Sequence, residues 1–407
     1  MQQNMLIKFS DTSRFMFNQD EVIICNRLNG LWIKTSKECY DILQIGQYYE
    51  NTVGTLLSSL ADDEDRQYIQ ELISVLDSMG VLFDKAVARE IRDISLSITH
   101  RCNLKCAHCM VDATYGGQTD RYDTQTICNI LNKIIKVKPA AIVLTGGEPL
   151  IRKDFLTILK YARTNYNGKI TLMTNGTLFN QKNINIIKEL VTNIDISLDG
   201  ADEESCAIVR GAGVFNEVMK NIMLLKNSGF DKISISMILS ENNSYYVDDF
   251  FELNKSLGTH PMLRALSYSG RANGNRDILN QKYTSKTTLR KGKKSQNYRT
   301  CACTAGYNQL IIEANGNIFP CNLFVNEEFK LANIAEIEDL NQLFDVTKGE
   351  FLSPCLQKFE PQKFSKCKNC NINYFCWPCL YAMFDVKDDF DARCKFKKGL
   401  YADVWAY

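Results

Sequence analysis

The chain has 407 residues and a mass of 46.4 kDa, more than one ordinary domain needs, which predicts two or three domains. Hydrophobic residues make up 45% of it and charged residues 23%, a balance typical of globular proteins with a sizeable core. Forty-eight basic and 47 acidic residues leave a net charge of +1, which excludes recruitment of nucleic acid or membrane by a global field. Because neither a signal peptide nor a membrane-spanning apolar run is found, we expect a cytoplasmic protein. We expect it to bind neither nucleic acid nor a membrane.

The 16 cysteines of the chain fall into isolated residues and clusters. A reducing compartment disfavours a disulfide framework, so clustered cysteines are interpreted as metal ligands. Four isolated cysteines are expected to be small buried side chains: Cys25, Cys39, Cys128 and Cys206. The other twelve form a triplet near residue 105 and a set of nine beyond residue 300, and these two groups are expected to carry the chemistry.

Residues 1–88 predict a small winged-helix domain. A hairpin is expected over residues 20–34, with its turn at Asn29-Gly30, a pair suited to positive φ angles. Helical patterns follow at residues 35–46, with Gly46 placed to end the first, near 52–60, and at 62–79, and residues 81–83 could return as a strand.

A winged helix usually binds DNA, but the charge of this one argues against that use. Residues 1–90 contain 8 basic and 14 acidic residues, a net charge of −6, whereas a DNA-binding domain needs a basic face. The region resembles instead the RiPP recognition element, which is similar to the PqqD peptide-binding protein of pyrroloquinoline quinone biosynthesis. The resemblance implies that the leader of a ribosomally made precursor peptide adds as a strand to the hairpin edge. A scaffold domain without a partner is the alternative.

Residues 89–275 predict an α/β domain. Short β-rich runs alternate with amphipathic stretches, which is typical of a parallel sheet with right-handed crossovers, here a partial (β/α)6 barrel of the TIM type. Functional sites in such folds lie at the carboxyl ends of the strands, and the cysteine triplet begins just after the first one. The six runs cover residues 93–98, 140–146, 169–175, 193–199, 232–239 and 261–267.

The triplet consists of Cys102, Cys106 and Cys109. Three thiolates can hold three irons of a 4Fe-4S cluster and leave the fourth iron open to a ligand that is not protein. A zinc site, the alternative, prefers four ligands from paired Cys-x2-Cys knuckles, and no fourth cysteine is near. The Cys-x3-Cys-x2-Cys spacing is that of the radical S-adenosylmethionine (radical SAM) enzymes, which this region resembles.

Further residues at strand ends match that family in order. The resemblance implies that Glu148 holds the amino group of the methionine moiety and that Arg210 grips its carboxylate as a bidentate pair. Glycines after the second strand would let the backbone approach the ligand, and polar residues ending the third and fourth strands could face the ribose. The residues assigned to the cofactor are Gly146, Gly147, Glu148, Thr174, Asn175, Ser197, Asp199 and Arg210.

The resemblance also implies the chemistry. One electron, supplied by an external donor such as flavodoxin or ferredoxin, breaks a carbon–sulfur bond of S-adenosylmethionine and yields a 5′-deoxyadenosyl radical. That radical abstracts hydrogen from the substrate, while the protein positions the reactants and excludes water. The three triplet cysteines would be the catalytic cluster's ligands.

Residues 301–407 resemble the SPASM extension, whose cysteines hold two auxiliary 4Fe-4S clusters and would bring the total to three. The resemblance assigns Cys303, Cys321 and Cys379 to the first, with Cys301 its expected fourth ligand. Cys367, Cys370, Cys376 and Cys394 would hold the second. Cys355 is an extra thiol, so the first cluster is either fully bound or keeps an open iron. A zinc ribbon is the alternative for the later cysteines.

Between these regions, residues 276–300 form a basic linker with seven Lys or Arg between Lys282 and Arg299. Most such runs are solvated, and the functional hypothesis is that this one helps to hold an acidic peptide.

Together these features predict a peptide maturase of the sactipeptide or ranthipeptide type, which forms a cysteine thioether crosslink in a precursor peptide. Within the enzyme class, a carbon–carbon crosslinking maturase and a sulfatase-maturase-like enzyme are the alternatives. Outside it stand an iron–sulfur electron carrier and a winged-helix redox sensor.

Overall fold

The computed structural model describes residues 3–83, 90–117, 119–279, 299–300, 303–344, 353–376, 379–385, 394 and 397–405. The chain divides into two compact units: the first holds residues 1–89, 289–304 and 346–407, and the second holds residues 90–288 and 305–345. Within the described ranges, no helix has both the length and the apolar character that crossing a bilayer requires.

A three-stranded antiparallel sheet opens the first unit. Its strands are β1 (Ser13–Asn18), β2 (Glu21–Asn26) and β3 (Trp32–Ser36), in the order β1-β2-β3. The predicted hairpin is therefore present as β2 and β3, and Gly30 in its turn has a φ of 74°. Strand β1 was not predicted, and residues 81–83 form only an isolated bridge rather than the expected strand.

Three helices follow the sheet, as predicted: α1 (Lys37–Tyr48), α2 (Val53–Ser59) and α3 (Asp63–Ser78). Each begins after a polar side chain that accepts a hydrogen bond from a backbone N–H of the first turn. Helix α1 continues two residues past Gly46, where it was expected to end. A Cβ at Gly46 would lie 3.2 Å from the Leu56 side chain, so this glycine allows α2 to pack closely.

The second unit is built on six parallel strands. Each of them confirms one of the six predicted β-rich runs. The six are β4 (Asp93–Ser97), β7 (Ala141–Thr145), β8 (Lys169–Thr174), β9 (Asn193–Ser197), β10 (Ile233–Leu239) and β11 (His260–Ala265). Every strand pairs in parallel with the next one along the chain, which confirms the predicted α/β class with a partial-barrel sheet. Between β4 and β7, a short parallel pair, β5 (Arg101–Cys102) and β6 (Thr114–Tyr115), forms a separate two-stranded sheet.

Helices cover one face of this sheet and close the main core. Ile94, Leu96, Ile142 and Leu144 are buried in one cluster with apolar residues of the helices, while the alternate strand residues face the other way. The helices are α4 (Thr124–Lys136), α5 (Phe155–Asn165), α6 (Gln181–Leu190), α7 (Glu203–Arg210), α8 (Val214–Asn227) and α9 (Val247–Leu257), followed by the short α10 (Arg271–Gly274) and α11 (Arg276–Leu279).

The C-terminal region contributes strands to the same sheet, which the sequence did not predict. Strand β12 (Gln309–Ile312) lies parallel to β4, and β13 (Asn317–Phe319) and β14 (Ala332–Asn333) continue antiparallel. The sheet therefore has nine strands among the described residues, in the order β11-β10-β9-β8-β7-β4-β12-β13-β14.

The remaining C-terminal residues pack on the N-terminal sheet within the first unit. Their helices are α12 (Ser365–Lys368), α13 (Asn373–Cys376), α14 (Leu380–Asp385) and α15 (Lys397–Trp405). Val22 and Ile24 of β2 face α1–α3, whereas Ile23 and Cys25 pack against residues of α13 and α15. Both faces of this small sheet are thus covered.

Candidate cluster and cofactor site

The three triplet cysteines lie on residues 98–113, which we call the cluster loop, at the carboxyl edge of the parallel sheet. Cys102 and Cys106 are buried and Cys109 is half-buried. The Leu104 N–H lies 3.4 Å from the Cys102 sulfur, and the Ala113 N–H lies 3.3 Å from the Cys109 sulfur. Backbone donors aimed at sulfur stabilise thiolate charge, as they do around iron–sulfur clusters.

Electrostatics link the three thiols to one another. Burial raises the pKa of Cys102 to about 11, with contributions from Glu148 and from the other two thiols. Burial also raises the pKa of Cys106. The free thiols of Cys102 and Cys106 therefore hold their protons at neutral pH, and a metal cluster would displace these protons. No three Cys, His, Asp or Glu side chains of the described residues converge on one point, whereas a 4Fe-4S cluster binds each thiolate to a different iron. The donor set fits such a cluster.

Glu148, the predicted ligand of the amino group, is fully buried behind the loop. Its carboxylate accepts hydrogen bonds from the Thr174 hydroxyl at 2.8 Å, the Asn175 N–H at 2.7 Å and the Leu150 N–H at 3.0 Å. Burial raises the pKa of Glu148 in spite of these donors. A carboxylate has about four acceptor positions, so one position remains for an ammonium group.

The two glycines before Glu148 pack against the cluster loop, while their predicted role towards a ligand stays a prediction. They were expected to let the backbone approach a ligand. A Cβ at Gly147 would lie 2.3 Å from the Arg101 carbonyl oxygen, and a Cβ at Gly146 would lie 2.5 Å from the Thr99 carbonyl oxygen. The Gly147 N–H donates to the Thr99 carbonyl at 2.8 Å. These glycines let the end of β7 pack against the backbone of the cluster loop.

Thr174 and Asn175, at the end of β8, hold other site residues. Besides its bond to Glu148, the Thr174 hydroxyl accepts the Gly176 N–H at 3.1 Å. The Asn175 side-chain amide donates to the Asn103 side chain at 2.9 Å and lies 3.8 Å from the Cys102 sulfur. These contacts tie β8 to Glu148 and to the cluster loop, and the position of both residues facing a ribose stays a prediction.

Asp199 and Arg210 pair with each other. The Arg210 Nε lies 2.7 Å from Asp199, whose carboxylate also contacts the His108 imidazole and accepts the Ile238 N–H at 2.7 Å. Burial acts to raise the pKa of Asp199, but Arg210 and His108 hold it below its usual range. The Arg210 Nη1 lies 3.9 Å from the Cys106 sulfur. Arg210 thus stands beside the cluster thiols, and Asp199 orients it.

Ser197 is the last residue of β9, where the sequence placed it. It is half-buried and pairs in register with Ser236 of β10.

A segment after β11, residues 269–275, forms several hydrogen bonds with the backbone of the cluster loop. The Arg271 guanidinium donates to the Cys106 carbonyl at 3.2 Å and to the Ala113 carbonyl at 2.6 Å, and its N–H donates to the Cys109 carbonyl at 2.9 Å. The Asn275 amide donates to the Ala107 carbonyl at 3.0 Å. Sequence reasoning missed this segment, although a Gly-Arg pair five residues beyond the end of β11, at the catalytic edge, could have drawn attention to it.

The start of the loop is held by a second ionic network, also unpredicted. Arg101 pairs with Asp120 at 2.6 Å, and the Thr99 hydroxyl contacts the same carboxylate. Burial would raise the pKa of Asp120, but Arg101 and Thr99 lower it overall. Both ends of the cluster loop are therefore fixed by arginines.

The four cysteines assigned to the second auxiliary cluster belong to the first unit, and three of them act electrostatically on the fourth, Cys367. Burial raises the pKa of Cys367 to about 12, and the charges of Cys370, Cys394 and Cys376 add to that rise. The Cys370 N–H donates to the Cys367 carbonyl at 3.0 Å. Four neighbouring thiols fit a fully ligated 4Fe-4S cluster.

The ligands assigned to the first auxiliary cluster are distributed over the chain. Cys303 and Cys379 belong to the first unit and Cys321 to the second. Cys301 and most of the basic linker, residues 280–298, lie outside the described residues. The extra thiol, Cys355, is half-buried with its sulfur 3.5 Å from the Ser353 hydroxyl.

Known proteins resemble this chain in its central and C-terminal regions. Residues 96–253 match the radical SAM superfamily, and residues 301–371 match the SPASM iron–sulfur cluster-binding domain. Mycofactocin maturase MftC of Mycobacterium ulcerans is 25% identical over 318 residues, which cover 72% of this chain and 83% of that protein. The subtilosin biosynthesis protein AlbA of Bacillus subtilis is 26% identical over 319 residues, 70% of this chain and 66% of that protein.

Solved structures share the fold over nearly the whole chain. Streptococcus suis SuiB bound to S-adenosylmethionine aligns with a TM-score of 0.54 and 17% identity, covering 93% of this chain and 96% of that one. SuiB bound to its precursor peptide SuiA aligns with a TM-score of 0.54 and 16% identity, covering 94% and 97%. The shared fold is that of a radical SAM barrel with its extension.

Proposed function

We propose that this chain, which carries a radical SAM domain followed by an iron–sulfur cluster-binding SPASM domain, modifies a ribosomally made precursor peptide. One observation carries the proposal: the cluster loop brings Cys102 near Glu148 and Cys106 beside Arg210 at the carboxyl edge of the sheet. An iron–sulfur electron carrier or a redox sensor has no use for a buried acid and a buried arginine next to a cluster with an open iron.

Each site residue has a stated task in this proposal. Cys102, Cys106 and Cys109 would hold the catalytic cluster, which together with S-adenosylmethionine supplies a one-electron cleavage that generates a hydrogen-abstracting radical. Glu148 binds the ammonium group and Arg210 the carboxylate of the methionine moiety. The chain itself orients these groups through its loop contacts and keeps water from them by burial.

A peptide substrate is supported by what the relatives are. MftC is a maturase, AlbA acts in the biosynthesis of a bacteriocin, and SuiB binds a precursor peptide. We infer the same substrate class here. The N-terminal residues 1–88 would bind the leader, because β1 and β3 each pair on one side only among the described strands, and an extended peptide adds to such an edge.

The product we infer is a cysteine thioether. Three 4Fe-4S clusters would serve the reaction: the catalytic one, a second auxiliary cluster on Cys367, Cys370, Cys376 and Cys394, and a first auxiliary cluster on Cys303, Cys321 and Cys379 with Cys301. An auxiliary cluster would take the electron released as the crosslink closes, and a flavodoxin or ferredoxin would supply the electron that starts each turnover.

The first experiment tests the enzyme class. Anaerobic, cluster-loaded protein is incubated with S-adenosylmethionine and dithionite, and 5′-deoxyadenosine is measured by liquid chromatography. The proposal predicts release, increased by the peptide encoded beside this gene. Intact, cluster-loaded protein that releases none would exclude a radical SAM enzyme.

A second experiment tests the thioether. The modified peptide is reduced, alkylated and fragmented in a mass spectrometer. A cysteine that no longer alkylates, on a peptide lighter by two hydrogens, supports the thioether. Loss of two hydrogens with every thiol still alkylating would favour a carbon–carbon crosslink instead.

A further inference from the structure

Glu313 is a buried carboxyl that the proposed site does not use. It follows β12 directly, the residue is 6% exposed, and its Oε1 atom is buried without a hydrogen-bond partner among the described residues. Among the described residues its carboxyl makes neither a hydrogen bond nor an ion pair. Polar atoms buried in this way are rare in folded proteins and require an explanation.

The strand register gives the position of Glu313. Leu310 and Ile312 of β12 belong to the helix-facing core together with Ile94 and Leu96 of β4. The ladder with β13 continues through residue 313, whose N–H donates to the Asn317 carbonyl at 2.8 Å. Since side chains alternate along a strand, Glu313 lies on the opposite face, the inner one.

On that inner face Glu313 lies at the catalytic edge. The ladder between β12 and β4 ends with the pair Ile312 and Leu96, so Glu313 and Ser97, the last residue of β4, both follow directly at its carboxyl end. The cluster loop begins at the next residue. Because β12 and β4 are parallel, Glu313 and the cluster loop lie at the same edge of the sheet, where substrates bind in such folds.

Three other buried or half-buried acids at this edge are already engaged. Glu148 accepts three hydrogen bonds, Asp199 pairs with Arg210 and His108, and Asp120 pairs with Arg101. Of these four carboxyls, Glu313 is the one with no partner among the described residues. Since the remaining acceptor position of Glu148 is assigned to the ammonium group, Glu313 is the one of the four with acceptor positions available to a peptide substrate.

We propose that Glu313 accepts the proton that the peptide releases when its crosslink forms, an inference that rests on the proposed function. Joining a thiol sulfur to a carbon breaks one S–H and one C–H bond and forms one C–S bond. The hydrogen atom goes to the radical derived from S-adenosylmethionine, the electron to an iron–sulfur cluster, and the proton to the Glu313 carboxylate. All atoms and electrons are then accounted for.

The electrostatics of Glu313 suit that task. Burial raises its pKa to about 7, and a general base is most effective when its pKa lies near the working pH. A lone buried carboxyl also destabilises the folded protein, and such groups concentrate where function requires them.

The test replaces Glu313 with Gln, which preserves shape and removes the base. The reaction contains S-adenosylmethionine, dithionite and the peptide encoded beside this gene, and the readout is crosslinked peptide per 5′-deoxyadenosine. We expect Glu313→Gln to bind iron and release 5′-deoxyadenosine as the wild type does, with crosslinked peptide per 5′-deoxyadenosine reduced by about 100-fold or more. Glu313→Asp, which retains a carboxyl, recovers part of the yield. The exposed Glu336→Gln, in the same C-terminal segment, serves as the matched control and leaves the ratio unchanged.

Two results would overturn the inference. In the first, Glu313→Gln gives the wild-type ratio of product to 5′-deoxyadenosine. In the second, it loses S-adenosylmethionine cleavage as well, which would place Glu313 in the cofactor site. If the wild type itself leaves the peptide unchanged, the proposed function fails and the inference falls with it, so the two failures are distinguishable.

Discussion

Cys106 has the most strongly charged surroundings of the three cluster thiols, because it is buried beside Arg210 and Asp199. Replacing Cys106 with Ser removes one ligand of a three-ligand cluster. We expect the purified variant to lack the iron of the catalytic cluster and to release no 5′-deoxyadenosine above background. The control is Cys128→Ser, which alters a buried thiol of α4 and should retain both iron and activity. Full iron content in Cys106→Ser would contradict the assignment.

Glu313 also predicts how stability changes with pH. An unfolded chain releases this proton near the ordinary pKa of 4.5, whereas the folded protein holds it up to about 7. Between these values the folded state binds more protons, so its stability falls as pH rises. The difference reaches about 3 kcal/mol above pH 7, since each pKa unit corresponds to about 1.4 kcal/mol.

The measurement is thermal unfolding of the anaerobic protein from pH 5.5 to 8. The wild type should lose stability relative to Glu313→Gln as pH increases, because the variant has no charge to bury. Parallel pH profiles for the two proteins would show that the carboxyl is not held in its neutral form by the fold.

At the scale of elements, the segment after β11 fixes the cluster loop. Arg271 donates to two carbonyls of that loop, and hydrogen bonds from a charged group contribute about 1.5–3 kcal/mol each. We expect Arg271→Gln to lose cluster iron to a chelator at least about 10-fold faster and to alter the electron paramagnetic resonance spectrum of the reduced cluster. The control is Arg276→Gln in the adjacent helix α11, whose guanidinium is exposed and bonds Asn273. Equal iron loss in the two variants would mean that Arg271 does not hold the loop.

The sequence predicted the six barrel strands well because each is a short β-rich run bounded by polar residues. It did not predict β12, whose pairing partner β4 lies more than 200 residues earlier and leaves no local pattern. For β1, the weak alternation of residues 13–18 gave too little information. The end of α1 was misplaced because Gly46 serves packing against α2 and does not end the helix.

The site shows the same division between local and distant information. The cysteine spacing and the polar strand ends could be read directly, since they follow one another along the chain. Other features depend on which elements become neighbours in three dimensions. These are the pairing of Asp199 with Arg210, the hydrogen bonds from Arg271 to the cluster loop and the burial of Glu313. A single sequence does not record those contacts. The packing of Gly146 and Gly147 against the cluster loop was missed for the same reason.

At the scale of the whole molecule, the C-terminal cysteine region is shared between the two compact units. Residues 305–345 belong with the barrel, and residues 346–407 belong with the N-terminal sheet. Within the first unit, Arg27 and Glu360 form a buried ion pair at 2.9 Å, with Arg27 also 4.8 Å from the centre of the Tyr374 ring. The N-terminal region and the C-terminal residues of this unit therefore share a buried ion pair as well as apolar packing.

This pair predicts a stability effect far from the cluster loop. Glu360→Gln leaves the Arg27 charge buried without its carboxylate, which typically destabilises a protein by about 3–5 kcal/mol. Tryptophan fluorescence in urea reports on the first unit, because all three tryptophans of the chain belong to it. The control is Asp41→Asn, which breaks an exposed pair with Lys37 and should change stability by less than about 1 kcal/mol. Equal midpoints for the two variants would show that the buried pair does not stabilise this unit.

The central claim is that this chain changes the covalent structure of a peptide. The most direct test is the intact mass of the peptide encoded beside this gene, after anaerobic co-expression with the wild type or with Cys106→Ser. We predict a loss of two hydrogens per crosslink with the wild type and an unchanged mass with the variant. An unchanged mass with cluster-loaded wild type, or the same loss with Cys106→Ser, would contradict the proposed function.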